Sequence, residues 1–153
     1  MALKKMETEL KDLFQRQKLG VLATVSDTSA PYVSLVAFAA VEDLGRLLFL
    51  TSRSTRKFHN MLSCSRVSML IDNRTNQASD FDDALAITVL GRAAEQQGPA
   101  KADLLRMLLD KHPELKTFAL EPSSALMAIV VERYLLVSRF QEVQQLEMPA
   151  SRD

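Results

Sequence analysis

The sequence predicts a mainly β, α+β fold: an antiparallel barrel with a few peripheral helices. Three observations carry that expectation. Short apolar runs with period-two alternation or β-branched composition recur along the chain. Most are joined by tight polar turns, which suit hairpins and leave no room for the crossover helix of a parallel sheet. The helical segments are few and lie outside the strand runs, which separates this pattern from an α/β alternation.

The elements follow in order. Leu3, Met6, Leu10, Leu13 and Phe14 share one helical face, so residues 3–17 read as an amphipathic helix. Gly20 to Val25 is a first strand, and Asp27-Thr-Ser-Ala-Pro31 is a turn by composition. Tyr32 to Phe38 is a second strand with Tyr32, Ser34, Val36 and Phe38 on one face and Val33, Leu35 and Ala37 on the other. Glu42-Asp-Leu-Gly45 turns into a third strand, Arg46 to Thr51. A short helix follows, with Phe58, Met61 and Leu62 at i, i+3 and i+4 as its buried face. Arg66 to Ile71 is a fourth strand and Asp72 to Asp83 a polar loop. Ala84 to Ala94 is a fifth strand, where Gly91 marks a bulge. Gly98-Pro99 opens a helix that runs to about Lys111, with Leu104, Leu105, Leu108 and Leu109 inward and His112-Pro113 as its stop. Leu126 to Val137 is a long sixth strand, and Phe140 to Leu146 a seventh.

The 153 residues suit one domain, residues 1–153, with a sizeable core. Basic and acidic residues balance at 19 each, so no net field favours nucleic acid or an anionic membrane. No apolar run reaches the length of a membrane span, and the N-terminus lacks a signal-peptide core. With Cys64 as the single cysteine, no intrachain disulfide can form, and a cytoplasmic location is expected.

The most informative stretch is Leu48-Phe-Leu-Thr-Ser-Arg-Ser-Thr-Arg-Lys57. Thr51, Ser52, Ser54 and Thr55 supply hydroxyls, and Arg56 and Lys57 put cations in a first helical turn. Helix starts favour acidic residues because the dipole there is positive. Two cations at that end oppose the dipole, and a bound anion removes the conflict. The residues alone leave two readings, a phosphate site and a solvated basic turn.

Other motifs narrow the chemistry by their absence. There is no Gly-x-Gly-x-x-Gly, no Walker loop and no Gly-x-Ser-x-Gly elbow. His59 and His112 are far apart and one cysteine makes no metal set, so both histidines read as surface or packing residues. Asp80, Asp82 and Asp83 lack an EF-hand pattern and read as a solvated acidic loop. Cys64 and the methionines at 61, 69, 107 and 127 read as core filler.

Pro31-Tyr-Val-Ser-Leu-Val-Ala-Phe38, then Leu48 to Lys57, then Ser65-Arg-Val-Ser-Met-Leu-Ile71, in this order and with Ala86-Ile-Thr-Val-Leu-Gly-Arg-Ala93 after the loop, resembles the pyridoxamine 5′-phosphate oxidase-like flavin-binding split-barrel superfamily. The resemblance spans residues 8–138 and is most specific over Thr51–Lys57 and Arg66–Ser68. It implies a six-stranded antiparallel split β-barrel and a homodimer with FMN at the interface. It assigns the phosphate to Arg56 and Lys57, with Thr51 as the hydroxyl residue at the strand end, and the hydroxyls of Ser52 and Thr55 in the same turn are expected to join them. It lays the ring beside the strand segment from Ser34 through Leu35, Val36 and Ala37 to Ala39. The loop from Asn73 to Asp83 is longer than in the oxidase; Asn73 and Asn76 are expected to donate to ring carbonyls of a flavin held by the partner subunit, and Phe81 to cover the ring.

The departures bear on activity. The oxidase has Arg and Lys where this chain has Ser34 and Ala39, and its substrate-phosphate Tyr and Ser have no counterpart between Arg106 and Phe118. Vitamin B6 oxidation is therefore not expected. The tail Val131-Glu-Arg-Tyr-Leu-Leu-Val-Ser-Arg-Phe-Gln-Glu-Val143 is similar to the haem-utilisation branch of the superfamily. The expected function is an FMN-dependent oxidoreductase of unknown substrate with no essential protein acid or base. The alternatives are a haem-binding or haem-degrading protein, a non-catalytic flavin module, and a deazaflavin in place of FMN.

Overall fold

The computed structural model describes residues 1–139 and 142–150. The order is α1 (Ala2–Arg16), β1 (Leu19–Val25), β2 (Pro31–Ala40), β3 (Arg46–Ser52), α2 (Arg56–Ser63), β4 (Arg66–Asp72), α3 (Asp80–Asp83), β5 (Leu85–Glu95), α4 (Lys101–Lys111), a 3₁₀ turn (Pro113–Leu115), α5 (Lys116–Ala119), β6 (Ser124–Ser138) and β7 (Glu142–Glu147).

The strands pair antiparallel in the order β3-β2-β1-β4-β5-β6, and β6 returns to pair with β3, which closes a six-stranded barrel. The expected fold class is therefore observed. β6 serves two partners on one edge. Its first half, Ser124–Val130, closes the barrel on β3, and its second half, Arg133–Ser138, carries β7 as an extra strand. β5 runs along the other edge of both halves, and its register shifts between Leu90 and Gly91. A Cβ at Gly91 would lie 2.3 Å from the Val130 carbonyl oxygen, so only glycine admits this close crossing.

Period-two alternation sends one face of each strand into the barrel. Leu22, Phe38, Phe49, Met69, Ile71, Ile87, Val89, Met127, Ile129 and Tyr134 fill it. Met6, Leu10, Leu13 and Phe14 of α1 pack on the same core, with the Phe14 ring edge-on to Phe38 at 5.7 Å. The buried Tyr134 hydroxyl donates to Leu44 O at 2.6 Å. A second, smaller core forms outside the barrel, where Leu104 and Leu108 of α4 pack on Ala39, Leu48, Leu126 and Ala128. β3 is thus buried on both faces, which explains its unbroken Leu-Leu-Phe-Leu run.

Several side chains depart from the sequence reading. Leu3, Leu62 and Met107 are exposed, because α1, α2 and α4 bury narrower stripes than their apolar residues suggest. In α2, buried Asn60 takes the place expected of Leu62 and donates through Nδ2 to Thr24 Oγ1 at 3.0 Å. Cys64 is half-buried rather than core. Leu105 and Leu109 are only partly buried. The polar loop after β4 contains the single turn α3, and the helix expected from Gly98 begins at Lys101. β7 is placed from Glu142; the predicted start of that strand, Phe140, lies outside the described residues. Among the described residues no helix is long and apolar enough to cross a membrane.

Candidate functional site

The turn from β3 into α2 is built by its own hydroxyls. Thr55 is the N-cap of α2, with extended backbone and its Oγ1 accepting from Phe58 N at 3.3 Å. Its one hydroxyl proton goes to Ser52 O at 2.9 Å. The 2.9 Å contact between Thr51 Oγ1 and Thr55 Oγ1 is then donated by Thr51. Ser52 Oγ accepts from Ser54 N at 3.3 Å and meets Ser54 Oγ at 3.0 Å. No acidic residue stands in the first turn of α2. The N–H groups of Arg56 and Lys57 precede the first intrahelical bond, from His59 N to Thr55 O, and keep no partner among the described residues.

This turn opens on a cavity of about 220 Å³. Leu35, Val36 and Ala37 of β2, Thr51 and Ser52 of β3, Thr55 and Lys57 line it, so seven predicted residues converge on one space. Leu50, Leu115 and Phe118 complete the lining with an apolar wall that sequence reasoning missed. Leu115 and Phe118 come from the 3₁₀ turn and α5, a segment too short for a periodic signal.

The other four predicted residues stand apart from that lining. Arg56 is exposed, its guanidinium carbon 5.3 Å from the Tyr32 ring centroid. Ser34 shares the barrel-facing side of β2 with Val36 and Phe38, and its Oγ is buried without a partner. Asn73 Oδ1 accepts from Leu85 N at 2.7 Å, which closes the base of the loop after β4. Asn76, at φ 61°, lines a separate surface cavity with Asp80 and Phe81.

Asp80 organises that loop. Its carboxylate accepts from Thr75 N, Thr75 Oγ1 and Asn76 N at 2.7–3.0 Å. The Thr75 N–H, helped by the Thr75 hydroxyl, holds it below the usual carboxylate range. Among the described residues no group of three His, Cys, Asp or Glu can hold a metal ion. His112 is buried, with Nε2 2.7 Å from Phe38 O, and is a packing residue as expected. His59 is exposed on α2. Within the cavity lining Lys57 is the one ionisable side chain, so no acid–base pair is assembled there.

The sheet face beside the cavity is apolar and open. Leu19, Val33, Leu35 and Leu70 are between 37% and 65% exposed, unusual for large aliphatic residues. Register places them together: Leu35 faces Val21, Val21 faces Leu70, Val33 faces Ala23 and Ala37 faces Leu19. Leu35 and Ala37 belong both to this face and to the cavity.

A closed six-stranded antiparallel barrel with one extra strand and a few peripheral helices is the architecture of the split-barrel class. Residues 6–138 match the family described as pyridoxamine 5′-phosphate oxidase, and the chain belongs to that family. No protein with a curated description matches it by sequence. Among solved structures it is similar to a heme binding protein from Mycobacterium smegmatis, at TM-score 0.82 and 18% identity over 92% of this chain. The chain spans 57% of that protein's length. It is similar to HutZ, the heme storage protein from Vibrio cholerae, at TM-score 0.69 and 18% identity, over 82% of this chain and 94% of that one. General Stress Protein 26 from Bacillus anthracis matches at TM-score 0.70 and 20% identity, over 94% and 98% of the two chains. At these identities the likeness is one of fold.

Proposed function

We infer that the chain is an FMN-binding flavoprotein that acts as a homodimer, with oxidoreductase chemistry on a substrate other than a B6 vitamer. The observation that carries this is the convergence of Thr51, Ser52, Thr55 and Lys57 on one cavity at the start of a helix with no acidic first turn. Hydroxyls, a cation and unpaired N–H groups are the donors a phosphate monoester takes. Arg56 stands next to them and adds a second cation on leaving Tyr32. A deazaflavin cofactor with a phosphate in its side chain would use the same donors.

The cavity's size supports an interface site. At about 220 Å³ it is smaller than the ~300–1,000 Å³ that enclose a drug-sized ligand. One chain therefore encloses the phosphate end and leaves the ring on the open apolar face through Leu35 and Ala37. A second copy covering that face would complete the site, and its loop with Asn73, Asn76 and Phe81 is the candidate to reach across. FMN, when bound, supplies the hydride or electron transfer. The chain's residues hold the phosphate and offer the β2 backbone to the ring's polar edge. No side chain here is placed to move a proton.

Two features support a reaction other than B6 oxidation. Ala39 is buried under α4, so no charged side chain occupies the place where the oxidase carries Lys. The wall of Leu115 and Phe118 offers no partner to a second phosphate.

Haem is the second reading, supported by the likeness to haem-binding proteins. Lys57 and Arg56 would then pair with propionates, and His59 would be the exposed histidine on offer to the iron, since His112 is engaged with Phe38 O. The absorption spectrum of purified protein separates the readings. A flavin spectrum with release of FMN supports the first and a Soret band the second. A colourless protein that takes up neither ligand would overturn both.

A further inference from the structure

Arg53 stands at the tip of the cradle turn, between Ser52 and Ser54, yet takes no part in the cavity. Its backbone N–H donates to Ser123 O at 2.9 Å. Its guanidinium turns away and donates through Nη1 to Ser124 O at 2.9 Å and Pro122 O at 3.1 Å, and through Nη2 to Glu95 Oε2 at 2.8 Å. Among the described residues, the neighbouring Thr51, Ser52, Ser54 and Thr55 make only short-range side-chain bonds, such as Thr51 with Thr55 and Ser52 with Ser54. Arg53 therefore carries the side-chain bonds that tie this turn to distant chain. Its anchor is itself fixed, because Ser124 Oγ donates to Phe118 O and Ser124 N to Glu121 O.

Two carbonyls and a carboxylate around one group suit the rigid planar fork of arginine, whereas lysine offers three rotatable donors from a single point. The Arg53 charge is met by Glu95, so the cations left for a ligand are Lys57 and Arg56. Burial raises the Glu95 carboxyl, but the bonds from Gln97 and Arg53 and the Arg53 charge outweigh it, and the carboxyl stays ionised below its usual range. A phosphate cradle made of a flexible hydroxyl turn works only if that turn is held to within a fraction of an ångström.

We propose that Arg53 is a positioning residue that holds the anion cradle against the start of β6. This role rests on the cradle being a phosphate site. The competing role is a plain staple between β3 and β6, which would affect stability alone.

The test compares FMN with riboflavin, which lacks only the phosphate. Affinities are measured by flavin fluorescence for the natural chain, Arg53→Met, Arg53→Lys and Glu95→Gln, with thermal unfolding in parallel. The natural chain is expected to prefer FMN. Arg53→Met should weaken FMN by about tenfold while riboflavin stays within about twofold. Arg53→Lys should recover part of the preference. Glu95→Gln keeps both carbonyl bonds and should show a smaller loss, and it carries the test if Arg53→Met does not fold. Equal weakening of both ligands, or none in either, would overturn the positioning role. A natural chain that binds FMN no better than riboflavin would remove the phosphate site itself, and Arg53's role with it.

Discussion

Thr55 shows how one residue organises the site. Its hydroxyl caps α2 through Phe58 N, bonds Ser52 O and receives Thr51. Thr55→Ala should cost about 1 kcal/mol of stability, the usual value of an N-cap. It should also weaken anion binding, because Thr51 loses its partner. Chemical denaturation measures the first effect; an unchanged midpoint would show that the cap contributes nothing. The hydroxyl and cation content of this turn was legible in the sequence, because caps and helix-start cations are local signals. Arg53's role was not, since Pro122, Ser124 and Glu95 come close only in the closed barrel. Nor was Arg56's position over Tyr32, which depends on how β2 packs beside α2.

At the scale of elements, α4 is fastened at its C-terminal end. Lys111 Nζ donates to Phe14 O at 2.6 Å and Gln17 O at 2.7 Å, the carbonyls that end α1, and lies 3.9 Å from the Phe38 ring centroid. Burial lowers its pKa from 10.5 to about 8. The unfolded chain then binds more protons than the folded one between these values, so stability should rise with pH from about 8. The rise should end near pH 10, because burial raises the Tyr134 phenol above its ordinary value of 10.0 and favours the folded chain's protonated form. Denaturation across pH 7–10 should show the upward slope in the natural chain and lose it in Lys111→Met; an equal slope in both would assign it elsewhere. The strands were legible because alternation and tight turns are repeated signals along the chain. The exposure of Leu3, Leu62 and Met107 was not, because a helix's apolar residues do not reveal how wide a stripe its neighbours will cover. The 3₁₀ turn and α5 gave no periodicity at all.

At the scale of the whole molecule, the proposed homodimer would cover the open face of β1, β2 and β4 and the small cavity beside it with one partner, a second copy of the chain. Val33 and Leu70 lie on that face and outside the cavity lining. Val33→Glu with Leu70→Glu should convert a dimer to a monomer in light scattering and lose FMN binding together with it. A natural chain that is monomeric and still binds FMN fully would contradict an interface site. The six-stranded antiparallel barrel followed from the family resemblance and strand pattern together, whereas its strand order, its closure of β3 on β6 and the exposed face emerged only from the pairing and register. The sequence showed Val33 and Leu35 as one side of a strand, without telling which side the barrel would bury.

The central claim is that the turn from Thr51 to Lys57 holds the phosphate of FMN. Titration of the apoprotein with FMN, in the natural chain and in Arg56→Ala with Lys57→Ala, tests it most directly. Charge-assisted bonds are worth about 1.5–3 kcal/mol each, so the double substitution should weaken saturable FMN binding by well over tenfold. FMN affinity that is undiminished by removing both cations would contradict the claim.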